Sequence, residues 1–299
     1  MPHVSAPTRT HTPSVLITGA SSGIGFALAR TMDALGWRVF AGVRTARDAN
    51  HLREKLSARS EPIFLDVTDA NQIAAARNLI DDLAGGRLDG LVNNAGIVIH
   101  GPLEGLTVEA LRRQLEVNVV GVFAVTRAFL PLVRAAGGRV VVVGSISGRV
   151  AWPFNGAYAA SKFAVRGFAE SLRLEQRAFG VRVVLIEPGA FATAIWRKKT
   201  AAEYVDTTAL EPEVARRYRA ALRVVERSMD AIGARAPQPD RCVAAIRHAL
   251  TARRPRARYT VGRDVRLQEA FARLPAFLKD PLIATSMNLV LERVARGTR

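Results

Sequence analysis

Short apolar runs alternate with amphipathic stretches along the chain from Ser14 onwards. The apolar runs predict strands over Val15–Thr18, Arg38–Val43, Pro62–Asp66, Gly90–Asn93, Arg139–Ser145, Arg182–Glu187 and Arg258–Val261. Between them, the helical spacing of apolar positions predicts helices near 24–35, 46–58, 70–84, 107–135 and 156–179. Strands that are apolar along their whole length are buried on both faces. The pattern therefore predicts an α/β fold with a single doubly wound parallel sheet of about seven strands, of the Rossmann type, with helices on both faces.

No linker, internal repeat or low-complexity run divides residues 14–299, which are therefore expected to form one domain. Residues 1–13 are polar and predict a flexible N-terminal tail. The segment 190–240 fits the alternation worst, with charge runs and three prolines. Because it leaves the carboxyl end of a strand, where such sheets bind ligands, we expect a small helical substrate lid there. Residues 263–299 are predicted to form a C-terminal helical extension, with an apolar face suited to the core, to another subunit or to a membrane.

Composition bounds the location and the partners of the protein. The chain has no run of 18 apolar residues and no apolar signal core at its N-terminus, so we expect no spanning helix and a cytoplasmic location. The formal net charge is +17, mostly carried by residues 197–299. A solvated arginine-rich surface explains this charge, and weak peripheral contact with an anionic membrane, or an acidic partner, is the alternative. No nucleic-acid partner is expected, because no recognition motif is present. The single cysteine, Cys242, excludes an internal disulfide, and the five histidines form no cluster that would imply a metal.

The first strand leads into a glycine-rich turn, Thr18-Gly19-Ala20-Ser21-Ser22-Gly23-Ile24-Gly25, which opens a helix. Glycines allow a pyrophosphate to approach the backbone, and the helix N-terminus offers unpaired N–H groups. We therefore expect a dinucleotide to contact Gly19, Ser21, Ser22, Gly23, Ile24 and Gly25. The second strand ends in Val43-Arg44, and an arginine there suits the 2′-phosphate of NADP. NADP(H) is the expected cofactor, and NAD is the less favoured alternative.

A tyrosine and a lysine spaced four residues apart, Tyr158 and Lys162, lie on one face of the helix that begins near Asn155. A unit charge about 4 Å from the phenol supplies roughly 4 kcal/mol at an effective dielectric of ~20, which corresponds to about three pKa units. We therefore expect Lys162 to lower the pKa of the Tyr158 phenol, with desolvation of the phenol offsetting part of that effect. Ser145 follows the apolar strand that precedes this helix.

These motifs, in this order, resemble the short-chain dehydrogenase/reductase family over roughly residues 14–195. The resemblance rests on the glycine turn, Asp66, Asn93-Asn94-Ala95-Gly96, Asn118, Ser145, Tyr158-x-x-x-Lys162, Pro188-Gly189 and Thr193. The stretches 148–154, 187–191 and 258–262 look most like those of hydroxysteroid and retinol dehydrogenases.

The resemblance implies roles for the site residues. Tyr158 would be the catalytic acid/base, Ser145 would hydrogen-bond the substrate oxygen, Lys162 would hold the nicotinamide ribose, and Asn118 would hold a water that links Lys162 to solvent. Further cofactor contacts would be Arg44, Asp66, Val67, Asn93, Ala95, Gly96, Tyr158, Lys162, Pro188, Gly189 and Thr193. The implied substrate contacts are Ser145, Phe154, Phe191 and Trp196, although these aromatic residues, with Trp152, would equally suit packing of the lid.

The expected function is an NADP(H)-dependent oxidoreductase acting on CH–OH groups. It would interconvert an alcohol and a ketone or aldehyde on a lipophilic, steroid-, retinoid- or lipid-like substrate. The alternatives are a ketoreductase acting on a carrier-bound acyl or polyketide intermediate and a non-catalytic NADP-sensing protein. From the family we expect a homodimer or homotetramer that assembles through helices 107–135 and 156–179.

Overall fold

A computed structural model describes residues 11–192, 205–206, 208, 210–262 and 265–285. Within these ranges the strands are β1 (Ser14–Ile17), β2 (Arg38–Val43), β3 (Glu61–Phe64), β4 (Gly90–Asn93), β5 (Arg139–Val143), β6 (Arg182–Pro188) and β7 (Arg258–Val261). They form one parallel sheet in the order β3-β2-β1-β4-β5-β6-β7. The predicted seven-stranded doubly wound sheet is confirmed, with strand ends moved by one or two residues.

Helices cover both faces of this sheet. They are α1 (Gly23–Ala34), α2 (Ala46–Lys55), α3 (Ala70–Ala84), α4 (Val108–Leu115), α5 (Gly121–Ala135), α6 (Gly156–Glu175), α7 (Pro212–Arg235), α8 (Asp240–Thr251) and α9 (Val265–Ala272). Residues 276–285 are also helical.

Alternate residues of each central strand enter opposite layers of the core. In β5, Val141 and Val143 pack with residues of α1 and α8, whereas Val140 and Val142 pack with residues of α3, α5 and α6. Such two-sided burial explains why the strand sequences show continuous apolar runs rather than apolar–polar alternation.

The order of the strands reverses between β1 and β4. The connection leaving β1 crosses toward β2, whereas the chain beyond β4 continues toward β5. In doubly wound sheets, the two loops that diverge at such a point leave a crevice at the carboxyl ends of the strands. Ligand chemistry is therefore expected beside the loops that follow β1 and β4.

Two helical regions differ from the sequence prediction. The stretch 107–135 is not one regular helix, because a π-helical turn, Glu116–Val120, separates α4 from α5. A π-helical turn holds one residue more than an α-helical turn, and this insertion hardly changes the spacing of the apolar residues. The sequence pattern therefore did not predict the turn. Region 190–240 contains the 24-residue helix α7 rather than only short helices, and residues 193–204 of that region lie outside the described part of the chain.

The segment Val108–Ala135 is long and apolar enough to cross a membrane by length and composition, whereas we expected no such helix. Its α5 portion packs against the sheet, and half of its most apolar window is buried. Packing against the core gives a soluble-protein helix the same apolar composition, so composition alone does not make this segment a membrane span.

Candidate active site

The glycine turn after β1 forms a backbone cradle that side chains would fill. Gly19 and Gly23 adopt φ values of +66° and +57°, a region that favours glycine. A Cβ on Gly25 would lie 2.3 Å from the Gly19 carbonyl oxygen and 2.6 Å from the Asn94 side-chain nitrogen. Helix α1 has no side-chain cap from Ser22 and no acidic residue in its first turn. Its N-terminus therefore fits an anionic pyrophosphate, as expected for a dinucleotide.

Thr18 and Asn94 lock this cradle to the loop after β4. The Thr18 hydroxyl oxygen accepts from the backbone N–H groups of Asn94 and Ala95, both at 3.0 Å. The Asn94 amide donates to the carbonyl oxygens of Thr18 at 2.9 Å and of Gly19 at 3.1 Å. The sequence analysis quoted both residues within motifs but gave them no role. Their role could have been predicted, because each is a polar residue that directly follows one of the two strands bordering the crevice.

Arg44 and Asp66 meet at the carboxyl ends of β2 and β3. Their closest side-chain atoms, Nη1 of Arg44 and Oδ2 of Asp66, are 3.9 Å apart. The other oxygen of Asp66 accepts from the backbone N–H and the hydroxyl of Thr68, at 3.0 and 2.8 Å. Burial alone would raise the pKa of Asp66, but these hydrogen bonds and the charges of Arg44 and Arg113 lower it below the ordinary value. Asp66 is therefore a fixed carboxylate beside a half-exposed guanidinium.

Two of the expected cofactor contacts point their side chains away from the crevice. Asn93 is buried, and its amide donates to the Thr126 hydroxyl of α5 at 2.9 Å. Val67 is also buried and packs against Gly121, the first residue of α5. Both side chains belong to the layer between the sheet and α5, so only their backbone atoms remain for a cofactor.

Ser145, Tyr158 and Lys162 come together beside the crevice. The Ser145 and Tyr158 hydroxyl groups lie close enough for Ser145 to influence the pKa of the phenol, and Ser145 Oγ accepts from the backbone N–H of Ser147 at 3.1 Å. Lys162 Nζ lies 5.7 Å from the centroid of the Tyr158 ring and donates to the Val143 carbonyl oxygen at 3.0 Å. The helical spacing of Tyr158 and Lys162 therefore places both on one face of α6, as predicted.

Asn118 lies on the π-helical turn and holds three segments together. Its amide nitrogen donates to the carbonyl oxygen of Ile97 and to the Ser161 hydroxyl, both at 3.0 Å. Its oxygen accepts from the Ile97 N–H at 2.9 Å. Both amide protons are therefore engaged within the protein, and only one oxygen lone pair remains for the expected water. π-Turns inside α-helices are frequent at functional sites.

Asn118 and Lys162 converge on Gly96. A Cβ on Gly96 would lie 3.3 Å from the Asn118 side-chain oxygen and 3.9 Å from Lys162 Nζ. The absence of a side chain at this position thus brings the loop after β4 close to both residues. All four residues assigned to catalysis, Asn118, Ser145, Tyr158 and Lys162, consequently occupy one neighbourhood.

Burial determines the acidity of this cluster, and its effect on Tyr158 is opposite to our expectation. Burial lowers the pKa of Lys162 from 10.5 to about 8. Burial also raises the pKa of the Tyr158 phenol above 10.0, and the hydrogen bond with Ser145 lowers it only in part. Desolvation of the phenol was expected to offset only part of the attraction of the lysine charge, whereas in the structure it is the largest influence on the pKa of Tyr158. The prediction that Lys162 leaves the pKa of Tyr158 below its ordinary value is therefore wrong for this structure.

The expected substrate contacts divide into different environments. Phe191 is only 2% exposed and packs in the core with Val143 and Val261, so it does not line a pocket, contrary to expectation. Phe154 is partly exposed and meets the ring of Tyr218 of α7 edge-on, with centroids 6.3 Å apart. Trp196, like the cofactor candidate Thr193, lies outside the described residues.

The loop after β6 begins at the Pro188-Gly189 motif, within one residue of the predicted end of the strand. Pro188 is the last residue of β6, and the Gly189 N–H donates to the Val261 carbonyl oxygen at 2.8 Å. This hydrogen bond extends the pairing of β6 with β7 and fixes the start of the loop at the carboxyl edge of the sheet.

The geometry described above agrees with a comparison of the sequence with protein families. Residues 13–204 match the profile described as short chain dehydrogenase. The chain belongs to the short-chain dehydrogenase family. As a member of this family with relatives named dehydrogenases, it is an oxidoreductase acting on alcohol or ketone groups.

Relatives of this short-chain dehydrogenase include two mammalian enzymes. Human retinol dehydrogenase 16 is 41% identical over 278 residues, which cover 90% of this chain and 87% of that protein. Bovine 17-beta-hydroxysteroid dehydrogenase type 6 is 47% identical over 188 residues, which cover 62% of this chain and 59% of that protein. The likeness to hydroxysteroid and retinol dehydrogenases that the sequence motifs predicted is therefore confirmed.

Solved structures support the same fold and a nicotinamide cofactor. A short-chain dehydrogenase from Streptomyces avermitilis has a TM-score of 0.73 and 32% identity, and the match covers 96% of this chain and all of that one. A Burkholderia cenocepacia short chain dehydrogenase in complex with NADP has a TM-score of 0.70 and 25% identity, with coverage of 92% and 99%. A Burkholderia phymatum protein in complex with NAD shares the fold at 24% identity and a TM-score of 0.73, with coverage of 88% and 92%. The two Burkholderia structures thus hold nicotinamide cofactors on the fold that this chain shares.

The expectation of a cytoplasmic location is wrong. It rested on the lack of an uninterrupted apolar run of spanning length, whereas Val108–Ala135, although charged residues interrupt it, is long and apolar enough on average to cross a membrane. In addition, relatives named retinol dehydrogenase match 85–90% of the chain, and nothing in those matches supports a cytoplasmic location. A search for uninterrupted apolar runs misses a segment of this kind, because charged residues interrupt it.

Proposed function

We propose that this short-chain dehydrogenase interconverts an alcohol and a ketone or aldehyde on a lipophilic, steroid-, retinoid- or lipid-like substrate. The observation that carries the proposal is the Tyr158 hydroxyl, which lies next to the Ser145 hydroxyl and near the buried Lys162, whose Nζ is 5.7 Å from the Tyr158 ring centroid, beside the crevice of the sheet. The names of the relatives, retinol dehydrogenase and 17-beta-hydroxysteroid dehydrogenase, support a lipophilic substrate class.

A nicotinamide cofactor bound at the glycine turn supplies or accepts the hydride, which no side chain can do. In the reductive direction, Tyr158 donates its proton to the carbonyl oxygen of the substrate. Ser145 donates a hydrogen bond to the same oxygen, where negative charge develops in the transition state. Burial keeps the phenol protonated at neutral pH, because it raises the pKa of Tyr158. The resting side chain is therefore ready to act as a proton donor.

Lys162 provides a cation whose ammonium proton is easily released. Its pKa of about 8 lies close to neutral pH, so the side chain is mostly protonated at pH 7 but exchanges its proton readily. The ammonium lies 5.7 Å from the centroid of the Tyr158 ring and 3.9 Å from the place that a Cβ on Gly96 would occupy. We assign Lys162 to stabilising the tyrosinate that forms after proton donation and, as in the family, to the nicotinamide ribose.

Among nicotinamide cofactors, we propose NADP(H). The Arg44 side chain is 52% exposed at the end of β2, and the preceding residue is Val43 rather than a carboxylate. An exposed guanidinium in this position suits the 2′-phosphate, and the nearby Asp66 holds it in place. NAD is the alternative cofactor.

We also propose that the enzyme assembles as a dimer or tetramer through α5 and α6. Large apolar side chains remain exposed on these helices and the turn before α5: Val120, Phe123, Phe163 and Leu174. Contiguous apolar surface on a folded chain indicates contact with another molecule. Measurement of mass in solution by light scattering tests this assembly, and a monomer at micromolar concentration would contradict it.

The function is tested by following NADPH oxidation with retinoid, steroid and aliphatic ketones and aldehydes, and with the same acyl group tethered to a carrier protein. We expect turnover of the free lipophilic compounds. Tyr158→Phe should lower kcat by about 10²–10⁴-fold, because it removes the proton donor, and should leave NADPH binding nearly unchanged. Tyr259→Phe is the matched control, since that hydroxyl bonds His248 of α8, away from the site. Full turnover by Tyr158→Phe, or activity confined to the carrier-bound substrate, would contradict the proposal.

A further inference from the structure

A buried arginine lies immediately after the catalytic turn and has no part in the chemistry described above. The side chain of Arg149 is 8% exposed. Its Nε and Nη2 atoms donate to the carboxylate of Glu187 at 2.9 and 2.7 Å, and its Nη1 atom donates to Glu269 at 2.7 Å. A planar guanidinium can serve two carboxylates at once in this way, because its donors form a rigid fork.

Two carboxylates and two further guanidinium groups surround the Arg149 side chain. Glu187 is almost fully buried, and Glu269 is largely buried. Arg258 adds a second cation, 3.6 Å from Glu187 and 3.7 Å from Glu269, and the exposed Arg273 approaches Glu269 at 3.6 Å. Burial alone would lower the pKa of Arg149, but its two carboxylate partners raise it above the ordinary value. The Arg149 guanidinium therefore remains charged at neutral pH.

The three segments that Arg149 joins all border the active site. Its backbone N–H donates to the Ile146 carbonyl oxygen at 2.9 Å and so closes the turn that begins with Ser145. Glu187 directly precedes Pro188 and the loop assigned to the cofactor. Glu269 belongs to α9, about 120 residues further along the chain. One side chain thus connects the catalytic turn, the end of β6 and the C-terminal helix.

A second contact holds α9 against the same segment. The Trp152 ring stacks on the Phe271 ring, with centroids 5.9 Å apart and planes 2° from parallel. Trp152 lies between Arg149 and Phe154, and Phe154 in turn meets α7 through Tyr218. The stretch 149–154 therefore contacts α9 through Trp152 and α7 through Phe154. It lies just before α6, the helix that carries Tyr158.

We propose that Arg149 is a positioning residue that couples the docking of α9 to the geometry of the Ser145 turn, with α9 forming a wall of the substrate site. The inference rests on the proposed function for its kinetic consequences. When Glu269 and Phe271 hold α9 in place, Arg149 fixes the turn that presents the Ser145 hydroxyl to the substrate oxygen. When α9 is no longer docked, neither the wall of the substrate site nor the turn that carries Ser145 is held in place.

The kinetic test uses three substitutions in the full chain. Arg149→Lys keeps the charge but lacks the planar fork of donors that holds Glu187 and Glu269 together, and it should lower kcat by between about 10- and 100-fold, because it displaces Ser145. Glu269→Gln and Phe271→Ala loosen α9 and should both lower kcat and raise KM for large lipophilic substrates. The dissociation constant of NADPH should change less than twofold in all three. Glu170→Gln is the matched control, because it breaks an Arg166–Glu170 pair at 3.0 Å on the exposed part of α6.

Hydrogen exchange of backbone amides provides a readout that does not need activity. In Glu269→Gln and Phe271→Ala, amides of residues 145–149 should exchange faster than in the unchanged protein, whereas Glu170→Gln should leave them unaltered. Lower thermal stability without faster exchange in 145–149 would overturn the proposal and leave Arg149 a purely structural residue. Faster exchange in a protein that turns over none of the substrates would support the coupling and reject the proposed function separately.

Discussion

Replacing Lys162 with methionine should make the protein more stable at neutral pH. The side chain is 7% exposed, and burial lowers its pKa from 10.5 in the unfolded chain to about 8 in the fold. At pH 7 the folded protein therefore carries a charge that costs about 3 kcal/mol relative to the unfolded chain. Methionine has a similar length and fills the same space without a charge.

The substitution also removes a hydrogen bond. Lys162 Nζ donates to the Val143 carbonyl oxygen at 3.0 Å, and loss of this bond costs about 1 kcal/mol. The net expectation for Lys162→Met at pH 7 is a gain of about 2 kcal/mol in the free energy of unfolding. Turnover should be lost at the same time, since the ammonium is assigned to the catalytic cluster. Buried charges at active sites commonly reduce stability in this way.

The dependence on pH separates this explanation from a simple packing effect. Because the fold binds the lysine proton more weakly than the unfolded chain does, the stability of the unchanged protein rises as pH increases from about 8 to 10.5. At pH 10 the remaining cost of the charge is about 1 kcal/mol, which the lost hydrogen bond offsets. The advantage of Lys162→Met should therefore disappear near pH 10.

Urea unfolding at pH 7 and pH 10, followed by circular dichroism, measures both quantities. Lys55→Met is the matched control, because Lys55 is exposed in the last turn of α2 and its substitution should change stability by less than about 0.5 kcal/mol at either pH. A Lys162→Met protein that is less stable at pH 7, or whose advantage is the same at both pH values, would refute the reasoning.

Two further substitutions test the proposed cofactor and a peripheral contact of the protein with anionic membranes. Arg44→Asp removes the guanidinium next to Asp66 and should shift the ratio of kcat/KM values from NADPH toward NADH by about 10–100-fold; an unchanged ratio would remove the main support for NADP(H). Phe277 is 74% exposed on the basic C-terminal surface near Lys279, so the protein should sediment with anionic liposomes at low salt, and Phe277→Ser should weaken this binding. No sedimentation at low salt would contradict a peripheral membrane contact.

Local patterns predicted the sheet and the cofactor turn, because both depend on residues that are close in the sequence. The four consecutive valines at 140–143 make β5 a central strand that is apolar on both faces, and the glycine turn follows β1 with the conformation that only glycine adopts readily. The pairing of Tyr158 with Lys162 follows from helical spacing alone. These features require no knowledge of the rest of the chain.

Side-chain direction in the loops could not be predicted in this way. Asn93 and Phe191 lie beside the crevice in sequence, but their side chains turn into the core toward α5 and toward β7. Asn93 is still the last residue of β4 and follows the alternation of the pleat, which turns it to the α5 side. Phe191 lies three residues beyond β6, where that alternation no longer decides between the ligand side and the core. The contact of Arg149 with Glu269 is harder still, because its partners are 120 residues apart and neither forms a local motif.

The altered acidity of Tyr158 has a consequence for how the cluster works. A phenol with a lowered pKa would be partly ionised and equally prepared to accept or donate a proton. Burial instead raises the pKa of Tyr158 and lowers that of Lys162, so the site disfavours the charged form of both side chains. In the proposed mechanism, proton donation by Tyr158 would leave a tyrosinate next to an ammonium, a pair that attracts more strongly inside the protein than in water. The lysine would therefore contribute chiefly after proton transfer begins, by stabilising the product of that transfer rather than by ionising the phenol beforehand.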